Sequence, residues 1–126
     1  MLGIAESAIL TAMTMGQRFG IFSILSRSVP RHMRMIGAMG VMDRLAADLP
    51  LDLGVADLTD RNRTFARLRE VGTQLRDGHG AEVLILGCAG MTSYRADLCE
   101  ALGRPVVEPC GAAAAMAIGR VALTRP

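Results

Sequence analysis

Apolar residues along this chain gather into short continuous runs, separated by stretches in which they recur at helical spacing. Val83, Leu84, Ile85 and Leu86 follow one another without a polar interruption. That is the pattern of a strand buried on both faces of a parallel sheet, and it predicts a strand over 82–86. Residues 18–25 (RFGIFSIL) predict another and 105–107 a short one. Residues 51–58 (LDLGVADL) predict a weaker strand, broken by Gly54. Helices are expected over 6–15, 30–39, 60–76, 93–102 and 112–123. The second has Ser28 as its candidate N-cap and Pro30 in its first turn. The third opens on Asp60 and carries Phe65, Leu68, Val71 and Leu75 at three- and four-residue spacing. Tyr94, Leu98, Ala101 and Leu102 share a face of the fourth. Residues 2–7 (LGIAES) read as the end of a strand turning into a helix. Strand alternating with helix implies parallel βα units, so the expected fold is α/β, a parallel sheet flanked by helices, with residues 1–126 forming one domain.

Composition narrows the function. Half of the residues are hydrophobic, but alanine and methionine supply much of that share, and there is no tryptophan and one tyrosine. A net charge of +2, with arginines spread along the chain and not interleaved with aromatics, gives no footprint for nucleic acid. No run approaches the roughly 18 apolar residues of a membrane span, and no leader is read at the start. The three cysteines, Cys88, Cys99 and Cys110, form no C-x-x-C pair and have no metal-ligand spacing. Free thiols fit a reducing, cytoplasmic setting. No phosphate-binding loop, dinucleotide fingerprint or serine elbow is present.

The candidate chemistry lies where the most apolar strand ends, in GCAGM. Gly87, Cys88, Ala89 and Gly90 offer one thiol and otherwise almost no side chain. Ligands of open parallel sheets bind beyond the carboxyl ends of the strands, where Cys88 falls. A helix beginning near Ser93 would turn its unpaired amides toward the sulfur, favouring an anion there. Such a thiolate could remove a proton or attack a carbon, and the glycines would let a ligand approach the backbone. The competing reading is packing, since cysteine is among the most buried residue types. Cys99 is expected to pack inside its helix, and Cys110 either faces the ligand side or fills space. His32 (in RHMR) and His79 (in DGHG) are both expected to be solvated, without neighbours that would make either a base or a ligand.

The segments GIAESA at 3–8, RFGIFS at 18–23, GVMDRLA at 40–46, GAEVLILGCAGM at 80–91 and PVVEP at 105–109 resemble the second half of the aspartate/glutamate/hydantoin racemase family, its hydantoin and allantoin branch in particular. They occur in the family's order and cover nearly the whole chain, with GCAGM the most specific. The resemblance implies the C-terminal half of a two-domain racemase fold and a racemisation that needs no cofactor and no metal. One cysteine thiolate takes the α-proton, a second cysteine on the opposite face returns one, and backbone amides hold the enolate-like oxygen. Cys88 matches the second of these cysteines, and Ala89, Gly90 and Met91 match the loop whose amides hold the substrate. Ser23 falls where the family has a hydroxyl at a strand end, and is expected to contact substrate. Gly3 and Glu6 match a motif near the site, though a turn and helix start explains them equally well. Amino-acid racemases of the superfamily usually carry threonine and a polar residue after this cysteine. Ala89 and Gly90 offer only amides, which suits a cyclic imide or ureide such as hydantoin or allantoin.

The departures from the pattern are as specific. The family's first cysteine belongs to a preceding half of similar size, and neither Cys99 nor Cys110 matches its motif. Ile24 stands where a second hydroxyl is common, and Glu108 where aspartate is more usual. Expected partners are therefore a small-molecule substrate and either further copies of this chain or a complementing N-terminal half. Two other function classes stay open on the sequence: a non-catalytic remnant acting as an interaction module, and an isomerase that uses Cys88 as a nucleophile.

Overall fold

A computed structural model of the chain describes residues 3–126. Among the described residues, four strands form one sheet: β1 (Phe19–Ser23), β2 (Leu45–Pro50), β3 (Val83–Leu86) and β4 (Val106–Val107). Their order is β2-β1-β3-β4, and every neighbouring pair is parallel. The expected fold class is the one observed. Five α-helices among the same residues flank the sheet: α1 (Ile4–Met13), α2 (Val29–Met39), α3 (Arg61–Thr73), α4 (Arg95–Leu102) and α5 (Pro109–Thr124).

The continuous apolar runs are explained by a core on each face of the sheet. Because side chains alternate along a strand, Phe19, Ile21, Val83, Ile85 and Val107 point into one core, which α1, α2 and α5 complete with Ala8, Ile9, Ala12, Ile36 and Ala112. Phe22, Leu84, Leu86 and Val106 point into the other, against Leu68, Val71 and Leu75 of α3 and the turn after it and Leu98 and Leu102 of α4. Each fully buried Leu, Ile or Phe stabilises the fold by about 1.5–3 kcal/mol relative to exposure.

The strand expected at 51–58 is a correction. The chain pairs with β1 earlier, at Leu45–Pro50, and Val55–Thr59 is a 3-10 turn. β2 is an edge strand whose residues, apart from Asp48, are only half-buried, so it carries no continuous apolar run. Leu51 and Leu53, which suggested the strand, are buried just past its end, where their N–H groups donate to Ser23 O and Ile24 O at 2.7 and 3.3 Å. Other boundaries moved for local reasons. Asp60 caps α3 by accepting from Arg63 N–H at 3.2 Å, and a π-helical turn, Gln74–Gly78, follows the helix. Pro30 lies in the first turn of α2, but Ser28 makes no side-chain cap. α5 starts at Pro109 because the Glu108 carboxylate caps it, accepting from Gly111 N–H at 3.0 Å. The strand end expected around residue 2 lies outside the described residues.

Candidate active site

The site is built where β1 and β3 end side by side. Gly87 N–H donates to Phe22 O at 2.8 Å, extending the pairing one step beyond β3. A Cβ on Gly87 would stand 2.2 Å from that same carbonyl oxygen, so glycine is required by the close approach of two backbones. Cys88 follows in extended conformation, half-buried, and the chain then turns into a 3-10 helix, Ala89–Tyr94. α4 begins only at Arg95, so the amide that reaches the sulfur is not that of the expected α-helix but of this turn: Gly90 N–H donates to Cys88 Sγ at 3.4 Å. A Cβ on Gly90 would meet Leu58 Cδ1 at 3.5 Å and Cys88 Sγ at 3.6 Å, ordinary contacts. The two glycines beside the thiol thus serve different ends. The first lets two strands meet, and the second keeps space open next to the sulfur.

Cys88 and Ala89 border a cavity of about 430 Å³, open mouth included, on the α1 and α2 side of the sheet. Ile4, Ala5, Ala8 and Ile9 of α1, Ile21 of β1, Ile85 and Leu86 of β3, Met35 of α2 and Pro109 wall it with apolar surface. Among the lining side chains, His32 and Cys88 bring the polar chemistry.

His32 corrects the sequence reading. It is 8% exposed, not solvated, and its imidazole is held by a buried cluster. His32 Nδ1 lies 2.7 Å from Asp48 Oδ2 and 3.1 Å from Ser23 Oγ, and the Ser23 hydroxyl donates to Asp48 Oδ1. The Asp48 side chain has no exposure at all. A buried carboxylate is tolerated when donors replace its water, and here a hydroxyl and an imidazole N–H do so. Spacing held a clue to His32. It stands four residues before the buried Ile36, on the stripe of α2 that also carries the half-buried Met35 and Met39. Asp48 gave no comparable signal, because its partners are distant in sequence.

The other expected residues separate by depth. Ser23 is fully buried behind His32, committed to Asp48 and away from the cavity wall. Met91 packs its side chain into the α3 and α4 core, and its N–H donates to Cys88 O at 3.2 Å. Gly90 is exposed beside the thiol. Gly3 is the residue before α1 and Glu6 an exposed acid in its first turn, where the helix dipole favours it. Cys99 is half-buried against the core, as expected, whereas Cys110 is exposed in the first turn of α5 and fills no space. No helix among the described residues is long and apolar enough to cross a membrane.

Known proteins share both this sequence and this shape. The profile of the Asp/Glu/hydantoin racemase family matches residues 1–117. A hydantoin racemase of Paenarthrobacter aurescens is 36% identical over 124 residues, covering 97% of this chain and 52% of that protein. One from Rhizobium meliloti is 33% identical over 117 residues, covering 92% of this chain and 48% of the other. The structure of the allantoin racemase from Klebsiella pneumoniae superposes with a TM-score of 0.90 at 30% identity, covering 97% of this chain and 50% of that one. The chain spans about half the length of the relatives it matches. With the family's profile running through nearly all of it and the strand–glycine–cysteine turn in place, the chain belongs to the Asp/Glu/hydantoin racemase family.

Proposed function

We propose that this chain provides one thiol-bearing wall of a cofactor-independent racemase site acting on hydantoin-type amino-acid derivatives. The observation that carries the reading is the position of Cys88: at the carboxyl end of a central strand, on the wall of an apolar cavity, in a chain of this family. The Cys88 thiolate takes the proton from the α-carbon, forming S–H and leaving an enolate. Returning that proton re-forms the carbon acid. The amides of Ala89, Gly90 and Met91 form the loop around the sulfur. Gly90 N–H orients it, and the Met91 N–H bond to Cys88 O fixes the turn. Ser23 acts through Asp48 and His32, because it does not reach the cavity.

Inversion needs a second proton donor on the opposite face of the α-carbon. Within this reading a complementing half or a second copy of the chain supplies it, in the cytoplasm. Ile4, Leu10 and Met15 on or just after α1, and Ile118, Val121 and Leu123 on α5, are large apolar side chains left exposed, which supports such a partner. The test follows deuterium uptake and optical rotation of an enantiopure 5-monosubstituted hydantoin together in D₂O. At concentrations where ultracentrifugation shows a monomer, the 126-residue chain should exchange the α-hydrogen faster than it racemises the compound. Equal rates from the monomer would mean that both faces are served by one copy of this chain, and the one-wall reading would be wrong.

A further inference from the structure

His32 lines the cavity and has one ring nitrogen tied down and one without a protein partner among the described residues. Nδ1 is engaged by the Asp48 carboxylate at 2.7 Å, and a carboxylate only accepts, so the ring proton sits on Nδ1. In the neutral ring Nε2 is then an acceptor. Among the described residues, Nε2 makes no hydrogen bond to protein and is not fully buried, and His32 lines the cavity, so Nε2 is the ring nitrogen left open to a ligand. The ring edge lies close to the strand end, with Cε1 3.6 Å from where a Cβ of Gly87 would be, one residue before the reactive thiol. His32 and Cys88 do not hydrogen-bond to each other, so each stays available to a ligand. No arginine and no carboxylate side chain among the described residues lines the cavity. A carboxylate on the ligand would find no arginine there, whereas a neutral N–H would find Nε2.

Resting on the reading of Cys88 as the proton-transfer group, we infer that His32 Nε2 accepts a hydrogen bond from an N–H of the bound substrate, adjoining the carbon that Cys88 deprotonates. Within the hydantoin-type substrates already proposed, this contact selects those with a free N–H next to the α-carbon. Ser23 and Asp48 are positioning residues that fix the ring and its proton, and Nε2 orients the ligand so that the α-hydrogen meets the thiolate.

The experiment compares 5-methylhydantoin with 1,5-dimethylhydantoin, which lacks that N–H, by calorimetric titration of the whole chain and of His32→Asn. The asparagine amide retains a donor for Asp48 but has nothing in place of Nε2. The wild-type chain should bind the N-methylated compound roughly tenfold more weakly, as expected when a buried acceptor is left unpaired, and in His32→Asn the gap should close to about twofold. In long-range ¹H–¹⁵N spectra of the wild-type chain, the Nε2 resonance of His32 should move on adding 5-methylhydantoin, while those of the exposed His79 stay in place. An equal preference in both proteins, or an unmoved Nε2 at saturation, overturns the inference and leaves the role of Cys88 standing. No saturable binding of either compound would remove the hydantoin reading, and this inference with it.

Discussion

Replacing Gly87 with alanine is the sharpest structural perturbation available at the site. The new methyl would lie 2.2 Å from Phe22 O, well inside any contact real Cβ atoms make. The obstacle is a carbonyl in a central strand, so no rotamer change relieves it. The ends of β1 and β3 must separate by about 1 Å, which stretches the 2.8 Å Gly87 N–H to Phe22 O bond beyond hydrogen-bonding range. Overpacking a well-filled interior costs about 1–3 kcal/mol, and the lost bond about 0.5–1.5 kcal/mol. The expected destabilisation is therefore about 2–4 kcal/mol, a large part of the roughly 5–15 kcal/mol typical of a domain. Urea unfolding followed by circular dichroism reads this directly. With a slope of about 2 kcal/mol per molar, the middle of the usual range, the midpoint should fall by about 1–2 M. Gly90→Ala is the matched control, because its methyl meets only ordinary contacts at 3.5 and 3.6 Å and should cost less than about 0.5 kcal/mol. Equal midpoints for Gly87→Ala and the wild-type chain would refute the claim that the first glycine is demanded by strand approach.

Other consequences can be measured with the same material. Asp48→Ala takes the common acceptor from Ser23 and His32, so it should destabilise by about 3 kcal/mol, as breaking buried polar pairs does; a cost below about 1 kcal/mol would mean the cluster is not a structural unit. The Asp77 carboxyl is held below its ordinary value, chiefly by hydrogen bonding from Arg76, opposed in part by desolvation and aided to a lesser degree by the charges of Arg76 and Arg104. A lowered carboxyl stabilises above its unfolded value and loses that contribution as pH falls through its folded one. The small stability gap between wild type and Asp77→Asn should therefore close on acidification, and a gap that widens toward acid would contradict this sign. Val121→Glu on the exposed apolar face of α5 should reduce any self-association seen by analytical ultracentrifugation. An association constant unchanged by that substitution would place the partner surface elsewhere.

What the sequence made legible follows from where each signal originates. β1, β3 and β4 are covered on both faces, so burial writes itself into consecutive residues such as Val83 to Leu86. β2 lies at the edge, and its residues Leu45, Ala46, Ala47, Leu49 and Pro50 are only half-buried around a buried Asp48, so burial left no such trace. Leu51 and Leu53 drew attention to a neighbouring stretch, because they are buried without belonging to the sheet ladder. The thiol announced itself through the bareness of its surroundings. His32 and Asp48 did not, since their meaning arises only when the fold brings together residues 16 apart, with Ser23 as the third member 9 residues from the histidine. A polar residue on an apolar helical stripe was the available clue.

The most direct test of the central claim is the rate of α-hydrogen exchange from a 5-monosubstituted hydantoin in D₂O, measured by proton NMR for the wild-type chain and for Cys88→Ala. The Cys88 account predicts exchange above the uncatalysed background in the wild type and background exchange alone in the variant. Exchange by Cys88→Ala as fast as by the wild type would contradict it, and the proton would have to be taken by some other group.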